Sequence, residues 1–482
     1  KVLGLMRSGS TMMSKNETSQ EVSYHDSGFH LGQVLTLDVC KVDHAAETCY
    51  DNPLQNVEFM SDSDIILEKV VLKPDQEGGD CFAFVRAGPR AKIAFLGSET
   101  RIGIVTCGGL CPGLNTVIQE IVMTASRQYG VKEGNVLGIR GGFKGFLDPS
   151  LQPPVVLTPS SVRDIHNLGG TILGSNRGGF DCEKIVDAIE RIKLDQLYVI
   201  GGDGTHAAAL KLLEEARERK LKVSIIGIPK TIDNDICVID RSFGFDTAVQ
   251  EAINAIKSAK TEALSTSNGV GIVKLMGRSS GYLTAHATFG SRDVDVCLIP
   301  EIDFDLEGPH GLWSHIRKLL KAQGHAVIAI AEGTQIRSSS SSSKEVKSQS
   351  DESVGMQGTK SISEDVGKWF REAVKEAMKH PDRESGGDNE SIEISVKYID
   401  PSYMVRSVPA NVSDSIYCSL LGSQAVHGAF AGFTGFTVGL VNSRTVYIPM
   451  RLISSGTRRL NPKGRTWQRV CAITQQPTFL AQ

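Results

Sequence analysis

Two short motifs rich in glycine and aspartate constrain the fold of this chain more than any other feature. The first, GGDGT at residues 201–205, comes directly after the apolar run 197–200. The second, PKTIDND at residues 229–235, comes directly after the apolar run 223–228. Apolar runs rich in β-branched residues and bounded by glycine or proline are typical of buried parallel strands. Because open α/β sheets bind ligands at the carboxyl ends of their strands, we expect the two motifs to share one crevice.

Strands and helices alternate from residue 101 onward, and this alternation predicts the fold class. Short apolar runs predict strands at 102–106, 197–200, 223–228, 269–275, 295–299, 326–331 and 392–396. Apolar residues at helical spacing predict helices at 114–129, 184–193, 206–219, 246–260 and 364–379. Such alternation implies βαβ units and a mainly parallel sheet. Because the strands are too many for one unit, we predict an α/β fold of two stacked, three-layer Rossmann-like domains with an N-terminal extension.

Composition divides the chain further and excludes some classes of function. Residues 1–98 are polar and lack the alternation, so we interpret them as an N-terminal extension or small domain. A run of six serines at 338–343 opens a polar segment that cannot bury enough apolar surface to order itself, and we predict a mobile insertion at 338–360. The net charge of −3 gives no support for nucleic-acid binding. No apolar stretch approaches the roughly 20 residues of a membrane span.

Two glycine-containing loops are candidate anion sites. Gly108 and Gly109 let backbone N–H groups approach a ligand, and the following helix favours a negative charge at its N-terminus. A tight strand-to-helix turn without a ligand explains the same residues equally well. Arg177 and Gly178, in the second loop, suit bidentate binding of a phosphate. A solvated loop arginine is the alternative there.

The two opening motifs and a third one supply the chemistry of a transfer reaction. In residues 201–205 the glycines permit close approach of phosphates and Asp203 can hold Mg²⁺, with a plain Asp-Gly turn as the alternative. Asp233 and Asp235 face the same way in an extended segment and can divide proton transfer from orientation, with an Asx-rich turn as the alternative. Arg278 is placed to stabilise charge on a moving phosphoryl group, unless it is a surface arginine. Together these residues favour phosphoryl transfer.

With these motifs in order between residues 95 and 450, the chain resembles the 6-phosphofructokinase family. The resemblance implies transfer of the γ-phosphoryl group of ATP to O1 of fructose 6-phosphate, with Mg²⁺ as cofactor, in a homotetramer. It implies an ATP-binding domain at 99–240 with 407–450, a fructose-6-phosphate-binding domain at 241–406, and a C-terminal extension at 451–482.

The resemblance also assigns roles residue by residue. It places nucleotide and phosphate contacts on Gly108, Gly109, Arg177, Gly178, Gly202, Gly204 and Thr205, and Mg²⁺ on Asp203. It places contacts with the sugar phosphate on Lys230, Thr231, Asp233, Met276, Gly277, Arg278, Glu332, Tyr403 and Arg406. Asp233 is then the general base, with Thr231, Asp235 and Arg278 as further catalytic residues.

Two positions bear on the phosphoryl donor. Pyrophosphate-dependent members of the family carry Asp where this chain has Gly204, and the Asp side chain fills the room that the α-phosphate of ATP needs. Lys230, in contrast, is typical of the pyrophosphate-dependent group. The chain therefore resembles an ATP-using branch of the pyrophosphate-type lineage. Its N-terminal region and serine-rich segment are more similar to trypanosomatid than to plant members, which implies a glycosomal location.

Three alternatives stay open from the sequence. A pyrophosphate-dependent phosphofructokinase is suggested by Lys230. An enzyme similar to diacylglycerol kinases or NAD kinases shares the GGDGT loop but lacks the motifs at 231–235 and 276–278. A non-catalytic regulatory nucleotide-binding subunit is expected to lose Asp233 or Arg278, and both are present.

Overall fold

The computed structural model describes residues 37–70, 81–148, 152–337, 359–360, 365–380, 391–453 and 456–480. Apart from Thr359–Lys360, the predicted insertion at 338–360 lies outside these residues. Two sheets of the described chain carry the architecture, and each is covered by helices.

Ten strands of the described residues form one large mixed sheet. In spatial order nine of them are Leu37–Cys40, Cys81–Arg86, Arg444–Pro449, Phe436–Val441, Ser224–Pro229, Gln196–Gly201, Ile102–Thr106, Val136–Ile139 and Val155–Val156. The tenth, Ile65–Leu67, pairs antiparallel with Cys81–Arg86. The central pairings, from Phe436–Val441 across to Val136–Ile139, are parallel, as the alternation predicts.

A second sheet of four parallel strands stands beside the first. Its spatial order is Val296–Leu298, His325–Ala331, Gly269–Leu275 and Ser395–Ile399. Short strands of two residues each form three further small sheets. In one of them Ile336–Arg337 pairs with Phe304–Asp305 and with Thr359–Lys360. In the other two, Asp43–His44 pairs with Phe433–Thr434, and Tyr50–Asp51 pairs with Lys92–Ile93.

The helices of the described chain lie between and around the two sheets. They are Leu114–Gln128, Lys144–Leu147, Cys182–Arg191, Asp203–Glu218, Phe245–Leu264, Tyr282–Ser291, Leu312–Gln323, Val366–Lys379, Met404–Ser407, Val412–Phe430, Met450–Ile453 and Arg465–Thr474, with a 3₁₀ turn at Ile165–Asn167. None of them combines the length and the apolar character that crossing a bilayer requires.

Alternate side chains of each central strand enter different cores, which explains the continuous apolar runs of the sequence. In the large sheet, Ile102 and Ile104 pack toward helices Leu114–Gln128 and Val412–Phe430. Val105, on the other face, packs toward helices Cys182–Arg191 and Asp203–Glu218. Because successive side chains of a strand point to opposite faces, a strand covered on both sides must be apolar throughout.

The small sheet has the same three-layer construction. Val273 and Leu275 face the core shared with helices Phe245–Leu264 and Tyr282–Ser291. Ile272, on the opposite face, belongs to the core of helices Leu312–Gln323 and Val366–Lys379. The predicted fold class, two stacked α/β units with helices on both faces of each sheet, is confirmed.

Several elements differ from the sequence predictions; helix Asp203–Glu218, for example, begins three residues before the predicted residue 206, and helix Phe245–Leu264 ends four residues after the predicted residue 260. The strand predicted at 392–396 starts three residues later, at Ser395, and ends at Ile399, where it pairs in register with Gly269–Val273. In the N-terminal region, Cys81–Arg86 is built into the large sheet rather than standing apart, and Ala83 and Phe84 are fully buried there. This strand covers an edge of Arg444–Pro449 that would otherwise present unpaired backbone groups to solvent.

Candidate functional site

The GGDGT motif at 201–205 and the PKTIDND motif at 229–235 lie side by side at the carboxyl ends of neighbouring strands of the large sheet. Gly201 and Pro229 are partners in the parallel pairing of their strands, and the amide of Lys230 donates to the carbonyl of Gly201 over 2.9 Å. A cavity of about 190 Å³ opens at this point, and Asp203 and Asp233 both line it. The shared crevice expected from the sequence is therefore present.

The cavity collects more than half of the residues predicted for the site. Those that line it are Gly109, Arg177, Gly202, Asp203, Lys230, Thr231, Asp233, Asp235, Met276 and Arg406. Those that do not are Gly108, Gly178, Gly204, Thr205, Gly277, Arg278, Glu332 and Tyr403. The residues of the first group come from both α/β units, which places the cavity where the two units meet.

Asp203 is the first residue of helix Asp203–Glu218, and its position is fixed by local hydrogen bonds. Its Oδ1 accepts from the amide of Gly204 at 2.7 Å. Behind it, the buried His206 approaches the Gly202 carbonyl with Nδ1 at 2.9 Å and the Thr437 hydroxyl with Nε2 at 3.1 Å. The helix N-terminus adds a partial positive charge, so this end of the cavity favours an anion.

The loop that carries Asp233 is folded by its own side chains. The Thr231 hydroxyl accepts from the Asp233 amide at 3.1 Å and donates to Asp235 Oδ1 at 3.2 Å. Asn234 between the two aspartates adopts a left-handed conformation (φ 53°), which asparagine tolerates better than most residues. Its Oδ1 accepts from the Ser242 amide at 3.0 Å. The turn expected as the structural alternative thus exists, and it presents both aspartates to the cavity.

Asp233 is the most perturbed carboxyl group of the cavity. Burial raises its pKa to about 7, with the charges of Asp235 and Glu332 adding to the rise and those of Lys230 and Arg278 opposing it. Its Oδ1 is buried and has no hydrogen-bond partner among the described residues. A carboxyl group with a pKa near neutrality and a vacant acceptor atom is well matched to take a proton from a bound hydroxyl.

Three cationic side chains lie close to the loop that contains Gly108 and Gly109. Lys230 is only 7% exposed, and burial lowers its pKa. Its Nζ lies 3.7 Å from where a Cβ on Gly108 would stand. A Cβ on Gly109 would lie 3.6 Å from Arg177 Nη2 and 3.9 Å from Arg406 Nη1. Glycine at 109 therefore leaves open the space in front of both guanidinium groups, which suits a phosphate chain.

Several predicted residues lie around the rim. Arg278 is 82% exposed, and its Nε forms an ion pair of 3.3 Å with Glu332 Oε1. Tyr403 is 75% exposed, and the Arg406 guanidinium stacks over its ring at 5.1 Å from the centroid. Neither Arg278 nor Tyr403 is fixed by burial, so both have freedom to close onto a substrate.

Sequence reasoning missed one part of the cavity wall. Ile453, Gly456 and Thr457 line it, although they are more than 200 residues away from the motif at 229–235. An isolated antiparallel bridge joins Ile236 to Thr457 and brings the C-terminal segment there. No local pattern in residues 451–460 indicates this contact, because it depends on where the preceding strand Arg444–Pro449 ends.

Fold and site together define a class of protein: two stacked α/β units around a cavity of glycine loops, cations and paired carboxylates. The family model described as Phosphofructokinase matches residues 101–429, which is more than half of the chain. The chain therefore belongs to the phosphofructokinase family.

Relatives of this chain support the same assignment over most of its length. ATP-dependent 6-phosphofructokinase 1 of Arabidopsis thaliana is 48% identical over 441 residues, 90% of this chain and 89% of the relative. The ATP-dependent 6-phosphofructokinase of Borreliella burgdorferi is 41% identical, covering 91% and 96%. That of Trypanosoma brucei brucei is 38% identical, covering 80% and 75%. These identities do not favour the trypanosomatid form over the plant form.

Solved structures of the family share the architecture. The pyrophosphate-dependent phosphofructokinase from Marinobacter aquaeolei superposes with a TM-score of 0.60 at 18% identity, covering 80% of this chain and 92% of that one. At this identity the likeness supports the fold and carries no argument about the phosphoryl donor.

Proposed function

We propose that the chain is an ATP-dependent 6-phosphofructokinase that transfers the γ-phosphoryl group of ATP to O1 of fructose 6-phosphate. One observation carries the proposal: Asp203 and Asp233 line the same cavity as Arg177 and Lys230. The cations suit the phosphate chain, and the two carboxylates suit a metal ion and a proton. The names of the relatives support ATP as donor.

The donor atoms at Asp203 fit a magnesium ion that arrives with a nucleotide. The described residues contain no group of three or more His, Cys, Asp or Glu side chains able to hold a metal ion by themselves. Mg²⁺ in phosphoryl-transfer sites is held by one or two carboxylates and by the substrate phosphates. Asp203 is the residue that would hold it, and the ion would neutralise charge on the phosphate oxygens.

The residues of the chain then divide the remaining work. Asp233 accepts the proton of the sugar O1 hydroxyl through its Oδ1, which has no hydrogen-bond partner in the described part of the chain. Arg177 and two loops, one containing Gly109 and the other Gly202, position the phosphates of ATP. Arg278 leaves Glu332 to stabilise charge on the transferring group, which in a loose transition state is spread over its three equatorial oxygens.

The sugar phosphate is proposed to bind beside Met276 and Arg406, which both line the cavity. Glu332 pairs with Arg278, and Tyr403 lies against Arg406. The loop before Tyr403 is held by an ion pair of 2.6 Å between Lys274 Nζ and Asp400 Oδ2. A fixed loop with a mobile aromatic tip suits recognition of the 6-phosphate.

Pyrophosphate dependence is the second candidate, because Lys230 projects into the cavity among the phosphate-binding residues. The test is a coupled assay of the purified protein that measures fructose 1,6-bisphosphate formation with ATP and with pyrophosphate. Activity with ATP at least tenfold above that with pyrophosphate supports the proposal. A reversed preference contradicts it, and no turnover with either donor favours a regulatory subunit.

We further propose a homotetramer, the assembly implied by the resemblance. Helix Val412–Phe430 exposes Val412, Ile416 and Leu420 at intervals of four residues on one face, and an apolar face of this kind suits contact between copies. The glycosomal location remains a prediction from the trypanosomatid resemblance, and the relatives include chloroplastic enzymes of Arabidopsis thaliana as well.

A further inference from the structure

A short C-terminal segment, residues 456–460, links the two α/β units beside the cavity, and we call it the C-terminal strap. Before it, helix Met450–Ile453 packs on helix Asp203–Glu218 of the large-sheet unit. After it, helix Arg465–Thr474 packs on helix Tyr282–Ser291 of the small-sheet unit. The strap therefore passes from one unit to the other at the point where both contribute to the candidate site.

Arg458, at the centre of the strap, bonds to the backbone of the loop that carries Asp233 and Asp235. The amide of Arg458 donates to the Asp235 carbonyl at 2.6 Å. Its Nη2 donates to the Asn234 carbonyl at 2.9 Å, and its Nη1 to the Ile239 carbonyl at 3.0 Å. Nη2 also donates to the Asp240 carbonyl at 3.4 Å, so four carbonyl groups of one loop are tied to a single residue more than 200 positions away.

The same residue contacts the other unit. The Arg458 guanidinium stacks over the ring of Tyr282 at 5.0 Å from the centroid, and the Tyr282 hydroxyl donates to the Arg459 carbonyl at 3.1 Å. One position before Tyr282, the Gly281 amide donates to the Glu301 carboxylate, which also accepts from the Leu460 amide at 2.8 Å. Gly281 ends the loop that begins at Met276 and carries Arg278.

From these contacts we propose that Arg458 is a positioning residue that sets the Asp233 carboxylate against the loop of Arg278. Arg458 does not line the cavity, so it acts through the backbone of Asn234 and Asp235 rather than on a substrate. The proposal rests on the proposed function, because it assigns Asp233 the role of general base. It adds a third part to the site, contributed by the C-terminal segment.

The test compares Arg458→Ala and Arg458→Lys with a matched control, Arg459→Ala. Arg459 is exposed, its side chain does not line the cavity, and the substitution keeps the carbonyl that Tyr282 uses. We expect Arg458→Ala to lower kcat by roughly ten- to a hundredfold, because a misplacement of about 1 Å can cost 10²-fold. The KM values for both substrates should stay within about twofold of wild type, since the residues assigned to binding are untouched.

Chemical rescue separates positioning from general loss of structure. Millimolar guanidinium chloride should restore part of the kcat of Arg458→Ala and leave Arg459→Ala unchanged, because the small cation can occupy the place of the lost side chain. Arg458→Lys keeps the positive charge but not the simultaneous hydrogen bonds from Nη1 and Nη2, so we expect an intermediate kcat. If Arg458→Ala does not fold, the kcat of Arg458→Lys tests the positioning role.

The outcomes separate the two proposals. Wild-type protein that does not phosphorylate fructose 6-phosphate refutes the proposed function. Active wild type together with Arg458→Ala or Arg458→Lys at wild-type kcat refutes the role of Arg458 alone. A rise in KM without a fall in kcat also refutes it, because positioning of the general base acts on the chemical step.

Discussion

At the scale of single residues, the ionisation of Asp233 governs what the cavity can do. Burial raises the pKa of its carboxyl group, the charges of Asp235 and Glu332 add to the rise, and those of Lys230 and Arg278 oppose it. Replacing it by Asn removes the proton acceptor and keeps the shape. We expect Asp233→Asn to lower kcat by roughly 10²–10⁴-fold, the usual contribution of a general base. Steady-state kinetics with saturating ATP measures this, and near-normal turnover would exclude Asp233 from the role.

The raised pKa of Asp233 also predicts a pH dependence. Below about pH 7 the carboxyl group is protonated and cannot accept the proton of the sugar hydroxyl. The value of kcat/KM for fructose 6-phosphate should therefore rise with pH through about 7 and level off above it. A profile flat from pH 6 to 8 would contradict this assignment.

Gly204 gives the third prediction at this scale. A Cβ at Gly204 meets no atom of the described residues within 4 Å, so this part of the fold can accept a side chain there. Gly204→Asp should leave the melting temperature nearly unchanged, because an acidic residue in the first turn of a helix is favourable. It should raise KM for ATP at least tenfold by filling the room for the α-phosphate.

Gly204→Ala is the matched control for that variant. It adds the Cβ without the carboxylate, and its KM for ATP should stay close to that of wild type. Equal ATP affinity in Gly204→Asp and wild type would refute this explanation of donor choice.

At the scale of elements, the strands were predictable where burial on both faces made them continuously apolar. The runs at 102–106 and 269–275 match the observed strands to the residue, because polar residues, Arg101 and Asn268, precede them and all their residues except Lys274 are buried. The strand Ser395–Ile399 is only half-buried and lies at the edge of its sheet. Its apolar pattern is correspondingly weak, and the prediction placed it three residues early.

The candidate site was predictable for the same local reason. Residues such as Asp203 and Asp233 follow a recognisable strand directly, so the sheet fixes their position. The strap is different, because Thr457 and Arg458 reach the cavity through tertiary packing of the helices on either side. The sequence pattern predicts strands, helices and turns, but it does not predict which distant segments contact each other.

Asp414 is predicted to stabilise the contact between the starts of two helices. It is fully buried at the start of helix Val412–Phe430 and accepts from the amides of Gly244 and Thr247, at 2.9 and 2.7 Å, at the start of helix Phe245–Leu264. Asp414→Ala leaves these buried donors unpaired and should lower the free energy of unfolding by roughly 3 kcal/mol. Urea unfolding measures the change. Lys257→Ala, exposed on the second helix, should cost far less.

At the scale of the whole molecule, the exposed apolar face of Val412, Ile416 and Leu420 predicts self-association. Ile416 lies at the centre of this face and is 61% exposed. Ile416→Glu should convert the proposed tetramer into smaller species, because it places a charge within the proposed contact. Light scattering coupled to size-exclusion chromatography measures the mass.

Leu264→Glu is the control for that experiment. Leu264 is similarly exposed, at 58%, but lies at the end of a different helix. Its substitution should leave the mass unchanged. A wild-type protein that elutes as a monomer, or an Ile416→Glu variant with the wild-type mass, would contradict the assignment of this face.

The place of strand Cys81–Arg86 in the large sheet has a consequence for how the protein is made. One of its two antiparallel neighbours among the described strands is Arg444–Pro449, and the nearby hydrogen bond from the Gly88 amide to the Tyr447 hydroxyl joins residues 359 positions apart. At a synthesis rate of roughly 5–20 residues per second, the ribosome needs about 20–70 s to deliver that partner after the early strand has emerged. During this interval Val85 and Arg86, which pair with Tyr447 and Val446, lack these partners, so recovery of soluble enzyme should depend on chaperones that bind nascent chains.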